Sequence, residues 1–248
     1  MNKLDLGSFN ANGTSKISSK DIATSSKPKK QVDPRMKVHQ IYKAVDTGKR
    51  LPSVTTVLGQ LGKPYLIEWA WKLGLDGIDY KAIRDNAGTV GTIAHYLILC
   101  HLKGITPDLT MYSQIDIDKS QTCLKKYLEW EKENKIEPIL VEHPMVSGIF
   151  GFGGTIDCLA KLNGDLVLID HKTSSGIYTE MFYQLAAYAQ LLLENDYAIK
   201  NARILRIGKN EDEGFEQKIV VNLENHWNVF YHLLEVYKLQ AIIRKEEK

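Results

Sequence analysis

The chain has 248 residues, 44% hydrophobic and 25% charged, a balance that fits a soluble globular protein with one substantial core. Its longest apolar stretches, residues 96–100 and 185–193, are too short to cross a bilayer as a helix. The net charge of +2 hides an asymmetry: residues 1–37 carry eight Lys or Arg against three Asp, leaving the remainder at −3, so any surface for nucleic acid must be a local patch.

In chain order, residues 1–36 are rich in Ser, Lys, Thr, Asn and Gly and nearly lack large apolar groups, which predicts a flexible basic tail. The absence of Arg before Arg35 and the presence of Asp5 and Asp21 argue against a mitochondrial transit peptide, and nothing resembles a secretory signal. From Val38 the alternation Val38, Gln40, Tyr42, Ala44 predicts a strand, and Asp46-Thr47-Gly48-Lys49 a turn. Ser53 is placed to cap a short helix, and Pro64 to open another through Trp69 and Trp71 that stops near Gly74. Apolar residues at helical spacing predict a helix over 85–102, and a charged amphipathic helix is expected over 120–134.

Strands are expected at 138–144, 152–162 and 166–173, the last two joined by Asn163-Gly164-Asp165, a sequence suited to a tight antiparallel hairpin. A helix over 179–194, strands near 202–207 and 217–221, and a closing helix over 224–244 complete the pattern. This order predicts an α/β fold: one domain over 37–248 with a mixed central β-sheet flanked by helices and a helical elaboration before it. Cys100, Cys123 and Cys158 are odd in number and widely spaced, which implies no disulfide framework and suits a reducing cytoplasm.

The chemistry concentrates in Gly151-Phe-Gly-Gly-Thr-Ile-Asp157 and Leu166-Val-Leu-Ile-Asp170-His171-Lys172-Thr-Ser. Alternation along a strand turns Asp170 and Lys172 to one face and Ile169 and His171 to the other; Asp157 shares a face with Thr155, opposite Ile156 and Cys158. Antiparallel pairing then brings Asp157 beside Asp170 and Lys172. Two carboxylates and an ammonium on an otherwise apolar strand are costly to desolvate unless a cation or mutual pairing compensates. A magnesium ion suits the two Asp side chains and the backbone carbonyl of His171, and such a site can hydrolyse a phosphodiester with Lys172 neutralising developing charge. The residues alone equally allow an ordinary Asp–Lys ion pair on a hairpin.

Four motifs together resemble the RecB-like branch of the PD-(D/E)XK nuclease superfamily: Gly88-Thr-Val-Gly91-Thr-Ile-Ala-His95, Gly-Gly-Thr-Ile-Asp157, Leu-Ile-Asp170-His-Lys172-Thr-Ser and Gln184-Leu-Ala-Ala-Tyr188. The resemblance implies a restriction-endonuclease-like core and magnesium dependence with manganese able to substitute. Asp157, Asp170 and His95 would be metal ligands and Lys172 the catalytic lysine. Gly88 and Gly91 would let their helix lie close to the sheet, while Gln184 and Tyr188, with Thr173 and Ser174, would brace the site or touch DNA. Ile156 stands where the superfamily's Pro would be, a position that supplies no ligand. Leu51-Pro-Ser-Val-Thr-Thr-Val-Leu58 and Leu66-Ile-Glu-Trp69 are also similar to phage exonucleases related to the mitochondrial genome maintenance exonuclease.

Each assignment has a plainer counterpart. A histidine in an apolar helix pattern is more often a packed core residue than a ligand, which weighs against His95. Glu142, on the strand before the hairpin, is either a further acid near the metal or a salt-bridge partner, and His143 and His171 side chains are read as non-catalytic. Tyr65, Trp69, Trp71 and Phe182 are expected to be at least half core, although aromatics can also stack on unpaired bases. The expected activity is a DNA exonuclease acting on single-stranded ends, in phage or cellular replication, recombination or repair, with a recombination or replication protein as a possible partner. A structure-selective endonuclease and a non-catalytic nucleic-acid-binding module are the alternatives.

Overall fold

Asn163 and Gly164 both take positive φ, 51° and 89°, which is what a two-residue turn between right-twisted strands demands, and Leu162 pairs directly with Asp165 across it. The expected hairpin is therefore formed at the expected residues. The computed structural model describes residues 40–247; the predicted tail and the predicted strand start at Val38 lie outside the described residues.

β1 (Tyr42–Lys43) and β2 (Arg50–Leu51) make a small antiparallel pair, closed by a loop in which Ala44 N–H donates to Lys49 O at 2.9 Å. Ser53 caps α1 (Val54–Leu58), its hydroxyl accepting from Thr56 N–H at 3.0 Å. Pro64 occupies the first turn of α2 (Pro64–Leu75), where its missing N–H costs nothing. α3 (Tyr80–Lys103) and α4 (Gln114–Asn134) begin five and six residues before the expected starts. No residue of either first turn is buried, and their apolar residues, Ile83 and Ile115 among them, are exposed and lie off the core-facing spacing that marked the expected starts. Side-chain caps hold them instead: Asp79 accepts from Lys81 N–H at 2.9 Å and Ser113 from Asp116 N–H at 3.2 Å.

Five strands follow with two helices between and after them: β3 (Glu137–Val146), β4 (Gly153–Leu162), β5 (Asp165–Lys172), α5 (Thr179–Glu194), β6 (Asn201–Ile207), β7 (Phe215–Val220) and α6 (Glu224–Glu246). They lie in the order β3-β4-β5-β6-β7. β5 and β6, joined through α5, are parallel and the other pairs antiparallel. The sheet is therefore mixed and helix-flanked, as the sequence pattern implied. β3 is an edge, where Pro138 and Pro144 are tolerated without breaking a central ladder.

Successive residues of β5 and β6 pack to opposite sides. Leu168, Ala202 and Ile204 join Val54, Leu185, Leu191 and Phe230, under α1, α5 and α6. Val167, Ile169, Leu205 and Ile207 join Ala94, Ile98, Cys123 and Tyr127, under α3 and α4. The three cysteines are free and buried. Contrary to the sequence expectation, none of Tyr65, Trp69, Trp71 and Phe182 is a core residue. Among the described residues no helix is long and apolar enough to cross a membrane.

Strict alternation fails at one place on β4. Ile156 packs with the first group and Cys158 with the second, although two residues apart they were expected on one face. Asp157 lies at this crossover. On β3, between the register pairs Val141–Cys158 and His143–Ile156, Glu142 has φ +47°, a left-handed conformation uncommon for a residue with a side chain. The β4–β5 ladder runs only to Cys158 and Ile169. Beyond it the Asp157 carboxylate accepts the His171 backbone N–H at 2.8 Å, where a strand carbonyl would otherwise stand.

Candidate active site

The strands part at this point and leave a cleft of about 720 Å³ between α3 and α5, lined by Gly91 and His95, by Glu142, Asp157, His171 and Lys172, by Thr173 and Ser174, and by Gln184 and Lys209. Because β4 changes face at Asp157, the cleft straddles the sheet. Asp170 and Lys172 meet on the α5 side, with Lys172 Nζ 2.6 Å from Asp170 Oδ2. On the α3 side, Asp157 Oδ2 lies 3.6 Å from His95 Nδ1 and 3.7 Å from His171 Nδ1.

The His171 side chain, read from the sequence as non-catalytic, lies beside the site. It does face away from Asp170, packed against Tyr127 with ring centroids 5.4 Å apart and edge-on to His95 at 6.0 Å. Facing away does not remove it from the site, because Asp157 reaches over to the same side. One ligand atom each from His95, Asp157 and His171 lie within 4.8 Å of one another. Asp170 is not a member of that trio. The only sequence signal for the His171 ring was its position between Asp170 and Lys172, and strict alternation argued against it.

Burial sets the electrostatics, and neighbours then modify it. Burial alone would raise the Asp157 carboxyl, but the His95 imidazole, the hydrogen bond from His171 and the Lys172 ammonium together hold it well below the usual carboxylate range. Asp170 has no solvent exposure, and burial pushes it up to about 6, with Lys172 opposing and the Asp157 charge adding. Burial works against the Lys172 ammonium, yet Asp170 and Asp157 outweigh it and raise its pKa. Glu142 is pushed up to about 8 by burial and by the charge of Asp157.

The walls are built by close approaches. A Cβ on Gly91 would stand 2.7 Å from Thr173 Oγ1, so this glycine lets α3 lie against the end of β5. Gly88, expected to do the same, has open space around it. Gln184 donates to the Tyr188 hydroxyl at 2.7 Å, and the Tyr188 ring covers Gly154, where a Cβ would come within 2.7 Å of it. Ser174 Oγ donates to Gly176 O at 2.7 Å. Lys209, which no sequence motif flagged, donates from Nζ to Thr173 O at 2.8 Å and fixes the strand end after Lys172.

Asp170 Oδ2 is held by the Lys172 ammonium at 2.6 Å, while Oδ1 of this buried Asp has no hydrogen-bonded donor. A buried carboxylate oxygen left this way is costly, and a hard cation relieves that cost. Two imidazoles and a carboxylate beside it add donors that divalent first-row metals accept. The residues fit a divalent ion.

The sequence pattern of the PD-(D/E)XK nuclease superfamily matches residues 102–246, more than half of the chain. The chain belongs to this superfamily. The matched stretch holds Asp157, Asp170, Lys172, Gln184 and Tyr188 and starts after His95. Nucleases of this superfamily use divalent metals, in keeping with the donors described. No curated protein is similar enough in sequence to count as a match. Among solved structures, a putative exonuclease from Eubacterium rectale is 11% identical with a TM-score of 0.43, the similarity covering 62% of this chain and 66% of that one. This chain thus spans just under two thirds of that protein's length. An alkaline exonuclease from Laribacter hongkongensis is 14% identical, with a TM-score of 0.36 and coverage of 62% and 83%; its complex with dAMP gives 0.34, with coverage of 65% and 91%.

Proposed function

We propose that this nuclease is a deoxyribonuclease that uses magnesium, with manganese able to replace it, to hydrolyse phosphodiester bonds from free single-stranded ends. The observation that carries the reading is the cleft where β4 and β5 part, with Asp157 beside His95 and His171 on one side and the Asp170–Lys172 pair on the other. Asp157, Asp170 and His95 would hold the ion, with His171 contributing its carbonyl or its ring. A cation bound there supplies Lewis acidity, polarising the scissile phosphate and lowering the pKa of an attacking water.

The chain's own groups do the rest. Lys172, half-buried and kept protonated by its two acids, offers positive charge where the transition state gathers negative charge and orients the water. Glu142, raised toward neutrality, can take or give a proton at the cleft wall. Gln184 and Tyr188, bonded to each other, brace the α5 wall, and Thr173 and Ser174 carry the strand end that a phosphate would meet. Involvement in replication, recombination or repair, a delivering partner protein, and kinship with phage exonucleases related to the mitochondrial genome maintenance exonuclease belong to the same proposal. The kinship with phage exonucleases rests on the motifs at 51–58 and 66–69. A cytoplasmic setting accords with three free cysteines.

The test is degradation of end-labelled linear and covalently closed single-stranded DNA with magnesium, manganese or chelator, beside the Lys172→Ala variant. Release of nucleotides from linear strands only, abolished by chelator and by the variant, is the expected result. Cutting of closed circles would replace exonuclease by endonuclease, and full activity of Lys172→Ala would remove the site assignment.

A further inference from the structure

Beyond Ile207, residues 208–214 turn the chain back from β6 into β7 through a short 3₁₀ turn at Glu211–Glu213. Hydrogen bonds fix this connection from several directions. Lys209 N–H donates to one carboxylate oxygen of Glu213 at 2.8 Å and the Asn210 amide to the other at 3.1 Å, while Arg206 donates to Glu213 O at 2.8 Å. From α4, Lys126 donates to Asn210 O and the Cys123 thiol to Gly208 O. A Cβ on Gly208 would stand 2.6 Å from Gly214 O, so glycine is what lets the two arms lie this close. The backbone therefore delivers the Lys209 side chain to a fixed place.

That place is the wall of the cleft. Lys209 Nζ donates to Thr173 O at 2.8 Å, and Thr173 Oγ1 is the atom against which Gly91 of α3 closes. An ammonium has three donors, and one carbonyl takes only one of them. The charge is also differently disposed from that of its neighbour in the cleft. Lys172 is neutralised by Asp170 at 2.6 Å, whereas Lys209 meets a neutral carbonyl, and the Glu213 carboxylate is occupied by the Lys209 N–H and by Asn210. Among the described residues no ion pair joins Lys209 to an acid. The two lysines also come from different sides of the sheet: Lys172 meets Asp170 on the α5 side, and the segment carrying Lys209 is anchored to α4.

We propose that Lys209 binds a phosphate of the substrate strand other than the one being cleaved, its Nζ bridging Thr173 O and a non-bridging phosphate oxygen. The proposal rests on the nuclease reading of the cleft and adds how the strand is held there. A polyanion crossing the end of the sheet past Lys172 runs on to Lys209, which fixes its register while the metal site and Lys172 act on the scissile linkage. An ammonium on a phosphate reads charge and position and carries no base preference. The tether to Thr173 O holds the ammonium in place before the strand arrives, which lowers the entropy lost on binding.

Binding is measured on the full chain in excess chelator, so that no cleavage occurs, by anisotropy of labelled oligothymidylate and oligoadenylate over a range of salt. Lys209→Gln removes the charge and keeps a donor for Thr173 O. It should weaken binding about tenfold, equally for both sequences, and lower the slope of log Kd against log salt by about 0.7, the share of one phosphate contact on a single strand. A neutral methylphosphonate linkage walked along the oligonucleotide should weaken wild-type binding at one position to which Lys209→Gln is indifferent. An unchanged slope in Lys209→Gln, or the absence of any such position, overturns the contact and leaves Lys209 a tether of the strand end. Lys209→Met takes the place of Lys209→Gln if the amide variant does not fold, and loss of the fold in both also overturns the proposal. The two readings fail separately: a wild-type chain that degrades DNA while the neutral variant keeps the wild-type slope sinks the phosphate contact alone. A chain whose salt slope depends on Lys209 yet never cleaves sinks the nuclease reading and leaves the contact standing.

Discussion

Glu142 combines two costs that a single substitution can separate. Its carboxyl is pushed from an ordinary 4.5 up to about 8, by burial first and by the charge of Asp157 second, and its backbone sits at φ +47°. The folded pKa lies above the unfolded one, so ionising this acid opposes folding: the cost is absent below the unfolded pKa, grows as pH rises, and is complete above the folded value. At pH 7 the difference of about 2.5 units corresponds to at most about 3 kcal/mol. Glu142→Gln keeps the shape and removes the charge. In chelator, the variant should therefore melt at the wild-type temperature near pH 4.5 and higher by about 6–12 °C near pH 7. Glu142→Gly should add about 1 kcal/mol at every pH, because glycine adopts positive φ without the side-chain penalty. Melting curves from pH 4.5 to 8.5 decide the matter. A Glu142→Gln difference independent of pH, or a variant less stable at pH 8, would refute the electrostatic reasoning.

The other predictions concern catalysis, metal and packing. Asp170→Ala and Lys172→Ala should each lower the cleavage rate by about 10²–10⁴ while leaving oligonucleotide affinity in chelator near wild type, read by single-turnover gels and anisotropy. Asp157→Asn should abolish calorimetrically detected Mn²⁺ binding, and His171→Ala should weaken it; undiminished binding by Asp157→Asn would remove that carboxylate from the ligand set. Gly91→Ala should cost about 1–3 kcal/mol in urea unfolding, since its Cβ would stand 2.7 Å from Thr173 Oγ1. Adding Thr173→Ala removes that oxygen and should restore most of the loss.

Much of the candidate site was legible because its residues sit on regular elements. Gln184 and Tyr188 are one helical turn apart and therefore meet. Asp170 and Lys172, two apart on a strand, pair as alternation required. The errors fall where regularity stops. Alternation on β4 was extended through Asp157, although Ile156 and Cys158 pack to opposite sides, so the approach of Asp157 to the His171 ring was not foreseen. Gly88 and Gly91 look alike in a motif, yet only Gly91 faces an atom that a Cβ would strike. The aromatics of α2 look like core residues in composition, and composition does not say which way a helix is turned.

The sequence by itself determined the elements and most of their ends. Apolar period, Ser53, Pro64 and the Asn163-Gly164 turn are local physics that no distant contact overrides. Tertiary structure alone decided the chemistry of the cleft. The crossover at Asp157, the left-handed Glu142 beside it, and the arrival of His95 and Lys209 from remote segments depend on how strands and helices pack. Burial and neighbouring charge, which set the protonation of Asp170, Lys172 and Glu142, exist only once those surfaces have come together.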